Sequence, residues 1–279
     1  MYSVKILCDS VTDDVRLTTI EATFPRFILA EVNTHRMLSR NSASSRAIPV
    51  EKRIKAVREN PFVPEAFGKN QKGMQSQTVL DVDDAAHARA LWLQAAEDAC
   101  QHAELLLGVG VHKQWANRLL EPFGWQTAII SATEWENFLN LREHPDAQPE
   151  FRKIAGMIGV ALKENTPVRR VEGDLHLPLI FEQDIEDCYG RTHQGENIDE
   201  LLIKISVGRC ARVSYLTHDG RRDLNADIML ATRLQASGHL SPFEHVAVVG
   251  ESSLGFSGNF RKPWIQYRKT LVGEDVFRG

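Results

Sequence analysis

At 279 residues and 43% hydrophobic content, the chain is long enough for one large domain or two smaller ones, and for a substantial buried core. No run approaches the roughly 18 consecutive apolar residues of a membrane span, and the opening MYSVKILCDS lacks the charged-then-apolar layout of a signal peptide, so a soluble cytoplasmic protein with no membrane partner is expected. A net charge of −4 and a pI near 6.2 argue against a general nucleic-acid coat, so clusters of arginine are expected to serve small anions rather than a nucleic acid polymer.

The N-terminal SVKILCDSV and RLTTIEATF alternate apolar and polar residues, which predicts two strands leading to Pro25. From Arg26 the spacing changes to Phe27, Ile28, Glu31, Val32, His35 and Leu38, a helical face that delivers His35 and Arg36 into the polar run THRMLSRNSASSR, residues 34–46. Residues 59–79 carry two prolines and two glycines with little periodicity and read as a long loop of the kind that often forms a lid. Residues 83–107 have Asp at the start and apolar positions at Ala88, Leu91, Ala95, Ala99 and Leu106, an amphipathic helix. KQWANRLLE is a second helix. Thr133 with Glu136 forms a capping-box pattern opening TEWENFLNLRE, and Pro149 stands in the first turn of PEFRKIAGMIGVALKEN. NIDELLIKISVGRCARVSY and DLNADIMLATRLQAS read as helices, the latter stopped by Gly238, and SPFEHVAVVGES returns to strand chemistry. There is no G-x-G-x-x-G and no P-loop, and the pattern is that of a helix-rich α+β fold. Cys8, Cys100, Cys188 and Cys210 lie far apart with no C-x-x-C pair, so buried thiols are expected rather than disulfides or a zinc ribbon.

Three segments carry chemistry. The 34–46 run offers hydroxyls, amides and guanidinium groups in the density that suits either a phosphate cradle or a solvated loop. GHLSPFEH, residues 238–245, sets His239, Ser241, Glu244 and His245 around a proline; without a third ligand nearby, no metal is assigned to it and a helix cap with a solvated Glu is the simpler reading. NFLNLR puts Asn137 and Asn140 on adjacent helix faces with Arg142 near the C-terminus, where a cation is electrostatically ordinary; the same holds for Arg118 in ANRLLEP.

Together these segments resemble the flavin-dependent thymidylate synthase family. That family's signature is Arg-His-Arg, seven residues, Ser and an Arg two positions on; here Thr34-His35-Arg36 is followed by Ser44 and Arg46, with Thr in place of the first Arg. CARVSY is similar to the family's Ala-Arg-Val-Ser, GHLSPFEH to Gly-His-Glu-Ser/Thr-Pro-Phe-Glu-His, NRLLEP to Ala-Arg-x-x-Leu-Pro, and ENFLNLREHPDAQPEFRKIA to its Asn-Phe-x-x-Leu-Arg helix. The order differs, because the Ala-Arg-Val-Ser and Pro-Phe-Glu-His pieces come first in the family and last here. A circularly permuted single domain over residues 1–279 is therefore expected, with its junction around 170–205.

The resemblance implies a flavin-dependent thymidylate synthase-like fold, a homotetramer with shared active sites, FAD as cofactor, and NADPH and methylenetetrahydrofolate as co-substrates, with dUMP converted to dTMP. It implies that Ser44, Ser45 and Arg46, Arg118 from a neighbouring subunit, and Asn137 hold the pyrimidine deoxynucleotide monophosphate. Arg142 would meet the pyrimidine ring and, with His239, serve catalysis. His35, Arg36, Ser214, His239, Ser241 and Glu244 would surround the flavin. The family's substrate-contacting Gln, Arg and Glu fall on Glu31, Thr34 and Ser42, and its flavin-contacting Asn and Arg on Ser131 and Thr133. These departures make the pocket less positive and leave two alternatives: hydroxymethylation of dUMP or dCMP on the same fold, or a non-catalytic nucleotide-binding homologue. The C-terminal NFRKPWIQYRK is expected to run back beside residues 24–36, where Arg261 or Arg268 would replace the missing guanidinium.

Overall fold

The computed structural model describes residues 1–13, 15–76, 78–192, 195–214, 223–250 and 258–274. The two N-terminal strands form as the alternation predicts: β1 (Ser3–Thr12) and β2 (Val15–Pro25) make an antiparallel hairpin whose register shifts between Ile6 and Cys8. The expected long helical face after Pro25 is much shorter. A 3-10 turn over Arg26–Ile28 and one α-turn, α1 (Leu29–Val32), are followed by irregular turns. Arg40 donates to Asn33, His35 and Leu38 in that stretch, offering backbone carbonyls an alternative to a continued helix.

The chain then runs through β3 (Ser39–Ser42), α2 (Val50–Glu59), α3 (Val82–Gly108), α4 (Lys113–Ala116), a 3-10 segment over Asn117–Phe123 that contains Pro122, and β4 (Trp125–Ala132). KQWANRLLE is thus one turn of α-helix continued as 3-10, the tighter form that Pro122, which supplies no backbone N–H, accompanies. In α3 the buried face is Ala96, Cys100 and Ala103, rotated from the stripe expected of the sequence, and Leu91 and Leu105 face outward. Helix α5 (Glu136–Arg142) has Trp135 as its N-cap, without the anticipated capping box; Thr133 Oγ1 instead accepts the Arg261 backbone N–H at 2.9 Å. Helix α6 (Pro149–Glu164) begins at its proline as predicted.

After α6 come β5 (Val168–Arg169), β6 (Leu175–His176), α7 (Glu182–Thr192), α8 (Ile198–Ser214) and α9 (Leu224–Ala236), the last capped by Asp223 and closed by Gly238 at φ +74°. Only part of SPFEHVAVVGES is strand: Ser241–His245 is a 3-10 turn, followed by β7 (Ala247–Val249) and later β8 (Trp264–Gln266).

The main sheet runs β3-β4-β2-β1-β5 and a smaller one β6-β7-β8. Period two divides the main sheet's faces. Ile20, Ala22, Phe24, Ala128, Ile130 and Ala132 pack with Phe151, Ile154 and Ile158 of α6. On the other face, Ile129 meets Cys210 and Val213 of α8, and Leu17 meets Ala247, Val249 and Trp264 of the small sheet. A third apolar cluster joins α2, α3 and the 3-10 segment through Val50, Ile54, Cys100, Ala103 and Leu120. The four cysteines are free thiols, three of them buried. No helix among the described residues is long and apolar enough to cross a membrane.

Candidate functional site

Register places Ser39, Ser131 and Thr19 side by side across β3, β4 and β2. This polar row is where the small sheet docks. Gln266 Nε2 donates to Ser39 Oγ at 2.7 Å, His245 Nδ1 meets Ser131 Oγ at 2.8 Å, and His176 Nε2 meets Thr19 Oγ1 at 2.8 Å. Thr19 and Ser131 share a 2.6 Å hydroxyl contact, and His176 Nδ1 reaches Ser10 at 2.9 Å. Within this row every buried side-chain polar atom save one finds a partner, so the row acts as a keyed joint. The exception is His245 Nε2.

Burial pushes both histidines down to about 3. They therefore stay neutral when folded, while the unfolded chain takes up protons as pH drops below its ordinary histidine value. Stability must fall with falling pH from about 6.5 toward 3, by roughly 1.4 kcal/mol per pH unit for each histidine. Urea midpoints at pH 7 and pH 5.5 check this: the parent is expected to lose more than His176→Gln does over that interval.

The docked turn brings the GHLSPFEH segment onto the 34–46 run. Ser241 Oγ donates to Asn41 Oδ1 at 3.4 Å, Gln266 Nε2 also donates to the Glu244 carbonyl at 3.0 Å, and Asn259 Nδ2 donates to the Arg36 carbonyl at 3.2 Å. Arg36 and His239 are exposed. Arg268 bonds Glu244 at 2.5 Å and Glu274 at 2.6 Å, and Arg261 lies 4.0 Å from Glu134. The C-terminal segment thus runs back as expected, reaching Arg36 and Ser39. Its two guanidinium groups, however, serve these carboxylates, while Thr34 Oγ1 donates to the Glu31 carbonyl.

From the same run, His35 turns toward α5. Arg142 Nε donates to His35 Nε2 at 2.8 Å and its guanidinium stacks over Phe151 at 4.5 Å, with Phe138 edge-on to His35. Burial, then the Arg142 and Arg40 charges, push the His35 pKa down, so a neutral ring accepts from Arg142 at Nε2. Asn137 is exposed on α5.

Ser44 and Arg46 are exposed at the run's far end, where the Arg46 N–H donates to Ser44 Oγ. Ser45 is fully buried, and its hydroxyl donates to Glu121. Glu121 Oε1 also accepts from Arg26 at 3.1 Å and from Arg118 of the same chain at 2.9 Å. Buried Arg53 on α2 lies in the field of these groups. Sequence reasoning overlooked Arg26, Arg53 and Glu121, whose separation along the chain leaves no local spacing to find. Ser214 closes α8, and its side chain lies outside the described residues.

Comparison with known proteins bears on this arrangement. Residues 9–168, which include the 34–46 run, Arg118 and Arg142, match the model of the Thy1 family, described as thymidylate synthase complementing protein. Flavin-dependent thymidylate synthases from two strains of Thermus thermophilus are 29% identical over 159 residues, 55% of this chain and 54% of theirs. The chain thus spans about half the length of these curated relatives. In fold it is similar to a UMP/dUMP methylase, PolB from Streptomyces cacaoi, solved with 5-Br UMP and with 5-Br dUMP: TM-score 0.50, 17% identity, 59% of this chain and 89% or 90% of those chains. With more than half its length matched, and with the matched half holding the 34–46 run and the Arg142–His35 pair, the chain belongs to the thymidylate synthase complementing protein family.

Proposed function

We propose that the protein is a flavin-dependent enzyme that transfers a one-carbon unit from methylenetetrahydrofolate to C5 of a pyrimidine deoxynucleotide, converting dUMP to dTMP. The observation that carries this reading is the convergence of two segments about 200 residues apart: Ser241 on Asn41, with Arg142 on His35 from the same run. The family match ends at residue 168, yet the GHLSPFEH turn packs against the matched half, which favours a permuted order of the same parts.

The residues present suit FAD. Arg36 and His239 are exposed donors, and the turn carrying Ser241 and Glu244 meets the 34–46 run at Asn41, so these groups would offer bonds that a diphosphate and polar flavin edges accept. Bound flavin would supply hydride transfer, with NADPH as reductant, so no thiolate nucleophile is required. Arg142, fixed by His35 and Phe151, would orient the pyrimidine, and Ser44, Arg46 and Asn137 the rest of the nucleotide. Arg118 is half exposed, as sharing with a neighbouring subunit in a cytoplasmic homotetramer would need.

FAD titration followed by absorbance tests the cofactor: uptake with a shifted flavin spectrum is expected, and no spectral change would refute it. Arg46→Ala should weaken dUMP binding by roughly 2–3 kcal/mol, about 30- to 150-fold, without altering FAD uptake. Equal dUMP affinity in that variant would place the cradle elsewhere. One observation favours a second reading, dCMP as substrate: Glu31 Oε2 is buried with no hydrogen-bond partner, and a cytosine amino group is a donor it would accept.

A further inference from the structure

Helix α1 ends at Val32, and the chain from Asn33 to Leu38, which carries His35, is turn rather than helix or strand. One side chain from β3 gathers that turn. Arg40 Nε donates to Asn33 Oδ1 and its Nη2 to the Asn33 carbonyl, both at 2.7 Å, while Nη1 donates to the Leu38 carbonyl at 2.7 Å and the His35 carbonyl at 3.1 Å. Four of the guanidinium's five N–H donors are thus spent on acceptors spread over six residues, a reach that a lysine ammonium, with all its donors on one nitrogen, lacks. Among the described residues no carboxylate is in ion-pair contact with Arg40, and Glu244, whose charge reaches it, is bonded to Arg268. The group shapes the turn rather than neutralising an acid.

Period two turns Arg40 to the face of β3 opposite Ser39, beside Ile130, on the side where α6 packs. The His35 ring held on that side accepts from Arg142 Nε at 2.8 Å and meets Phe138 and Phe151 edge-on at 5.1 and 5.9 Å. The charges facing the ring are Arg142 from α5 and Arg40 from β3, and α6 presents Phe151. Burial, then these two charges in that order, hold the ring below the ordinary histidine range, and only a neutral imidazole accepts at Nε2. With its Nε on His35 and its plane on Phe151, Arg142 keeps both Nη groups without a partner among the described residues. We propose that Arg40 is a positioning residue: its fork clamps the 33–38 turn so that His35 meets Arg142, and through that contact it sets the direction in which Arg142 presents its Nη groups to a ligand. That this ligand is a pyrimidine nucleotide rests on the function proposed above, whereas the clamp does not.

NMR titration of the full chain carrying ¹³C-labelled histidine tests the clamp without any ligand, with the His35 signal identified by its absence in His35→Gln. In the parent, His35 should titrate below the ordinary histidine range. Arg40→Met should return it toward that range, and so should Arg40→Lys, which keeps the charge and loses the fork. Parent-like titration of His35 in Arg40→Lys would show that charge alone suffices and overturn the clamp. A lowered urea midpoint with His35 unmoved in Arg40→Met would overturn it too, since that is what a merely structural side chain would give. Asn33→Ala removes one acceptor at an exposed position and should move His35 the same way by less. Should the Arg40 variants fold poorly, Asn33→Ala decides, and an unmoved His35 there would overturn the clamp. Calorimetric titration with dUMP adds the functional arm. Arg40→Met should weaken binding at least about tenfold, and should cost almost nothing further in a His35→Gln background, because its effect passes through His35. An equal loss in both backgrounds would overturn the positioning role. A shifted His35 in a chain whose parent binds no dUMP would uphold the clamp while refuting the nucleotide reading.

Discussion

Arg209→Leu is expected to destabilise the protein by roughly 3–5 kcal/mol, enough to leave a marginal domain largely unfolded. Arg209 lies 1% exposed on α8, bonded to both oxygens of Asp184 at 2.6 and 2.9 Å, to Asp227 at 3.1 Å and to the Leu179 carbonyl at 2.6 Å. It thus joins α7, α8 and α9 through charges that water does not reach. Removing the cation leaves Asp184 and Asp227 in place, with Arg212 still on Asp227 at 2.8 Å, so the buried charge turns from balanced to negative. The helices already approach closely there, since a Cβ on Gly208 would collide with the Asp227 carbonyl oxygen, leaving little freedom to relax. Urea denaturation measures the loss. Arg209→Leu with Asp184→Leu should recover at least about half of it, because a matched pair of apolar groups avoids the unbalanced carboxylate. A single variant as stable as the parent would show that the pair contributes nothing.

Trp264→Ala should cost about 3–5 kcal/mol, the range for deleting a fully buried aromatic side chain. Trp264 is completely buried against Leu17 and the small sheet, and its indole N–H donates to the Val15 carbonyl at 3.0 Å. The loss has a functional side, because this strand carries Gln266 to Ser39 and leads to Arg268 on Glu244. Weaker FAD uptake should accompany the lowered urea midpoint, and proteolysis within 258–274 should accelerate. Trp264→Phe, which keeps most of the volume, should lose much less. Parent-like stability and cleavage in Trp264→Ala would mean that the C-terminal segment is not anchored there.

The legible parts of the fold were those whose apolar residues recur with a plain period along the sequence. Strands β1 and β2 showed their alternation, and α6 its periodicity and N-terminal proline. WQTAIISA carried no such signal because β4 is central and covered on both faces: seven of its eight residues are buried, so alternation disappears. Thr133 and Glu136 matched a capping box by spacing, but the Thr133 hydroxyl accepts from Arg261, a tertiary partner that local pattern does not reveal. The docking of residues 258–274 was legible in Trp264, Ile265 and Tyr267, too apolar to leave in water.

Within the site, legibility followed distance along the chain. The 34–46 run advertised its chemistry because its polar groups are adjacent, and comparison of motif patterns supplied the GHLSPFEH segment. The histidine joint through Thr19 and Ser131 and the arginines around Glu121 had no such marker. Arg53 and Glu121 are brought to one region because α2 and the 3-10 segment share an apolar cluster, and Arg26 reaches Glu121 from the turn after β2, so the fold had to be in hand first.

Mass spectrometry of the nucleotide after incubation with FAD, NADPH and methylenetetrahydrofolate tests the proposed activity most directly. With dUMP supplied, a product heavier by one CH₂ group is expected, formed at comparable rates by the parent and by a folded variant whose four cysteines are replaced with Ala or Ser. Unchanged dUMP in a flavin-loaded, folded protein would contradict the proposed transfer, and a product carrying an added CH₂O would assign the hydroxymethyl chemistry instead.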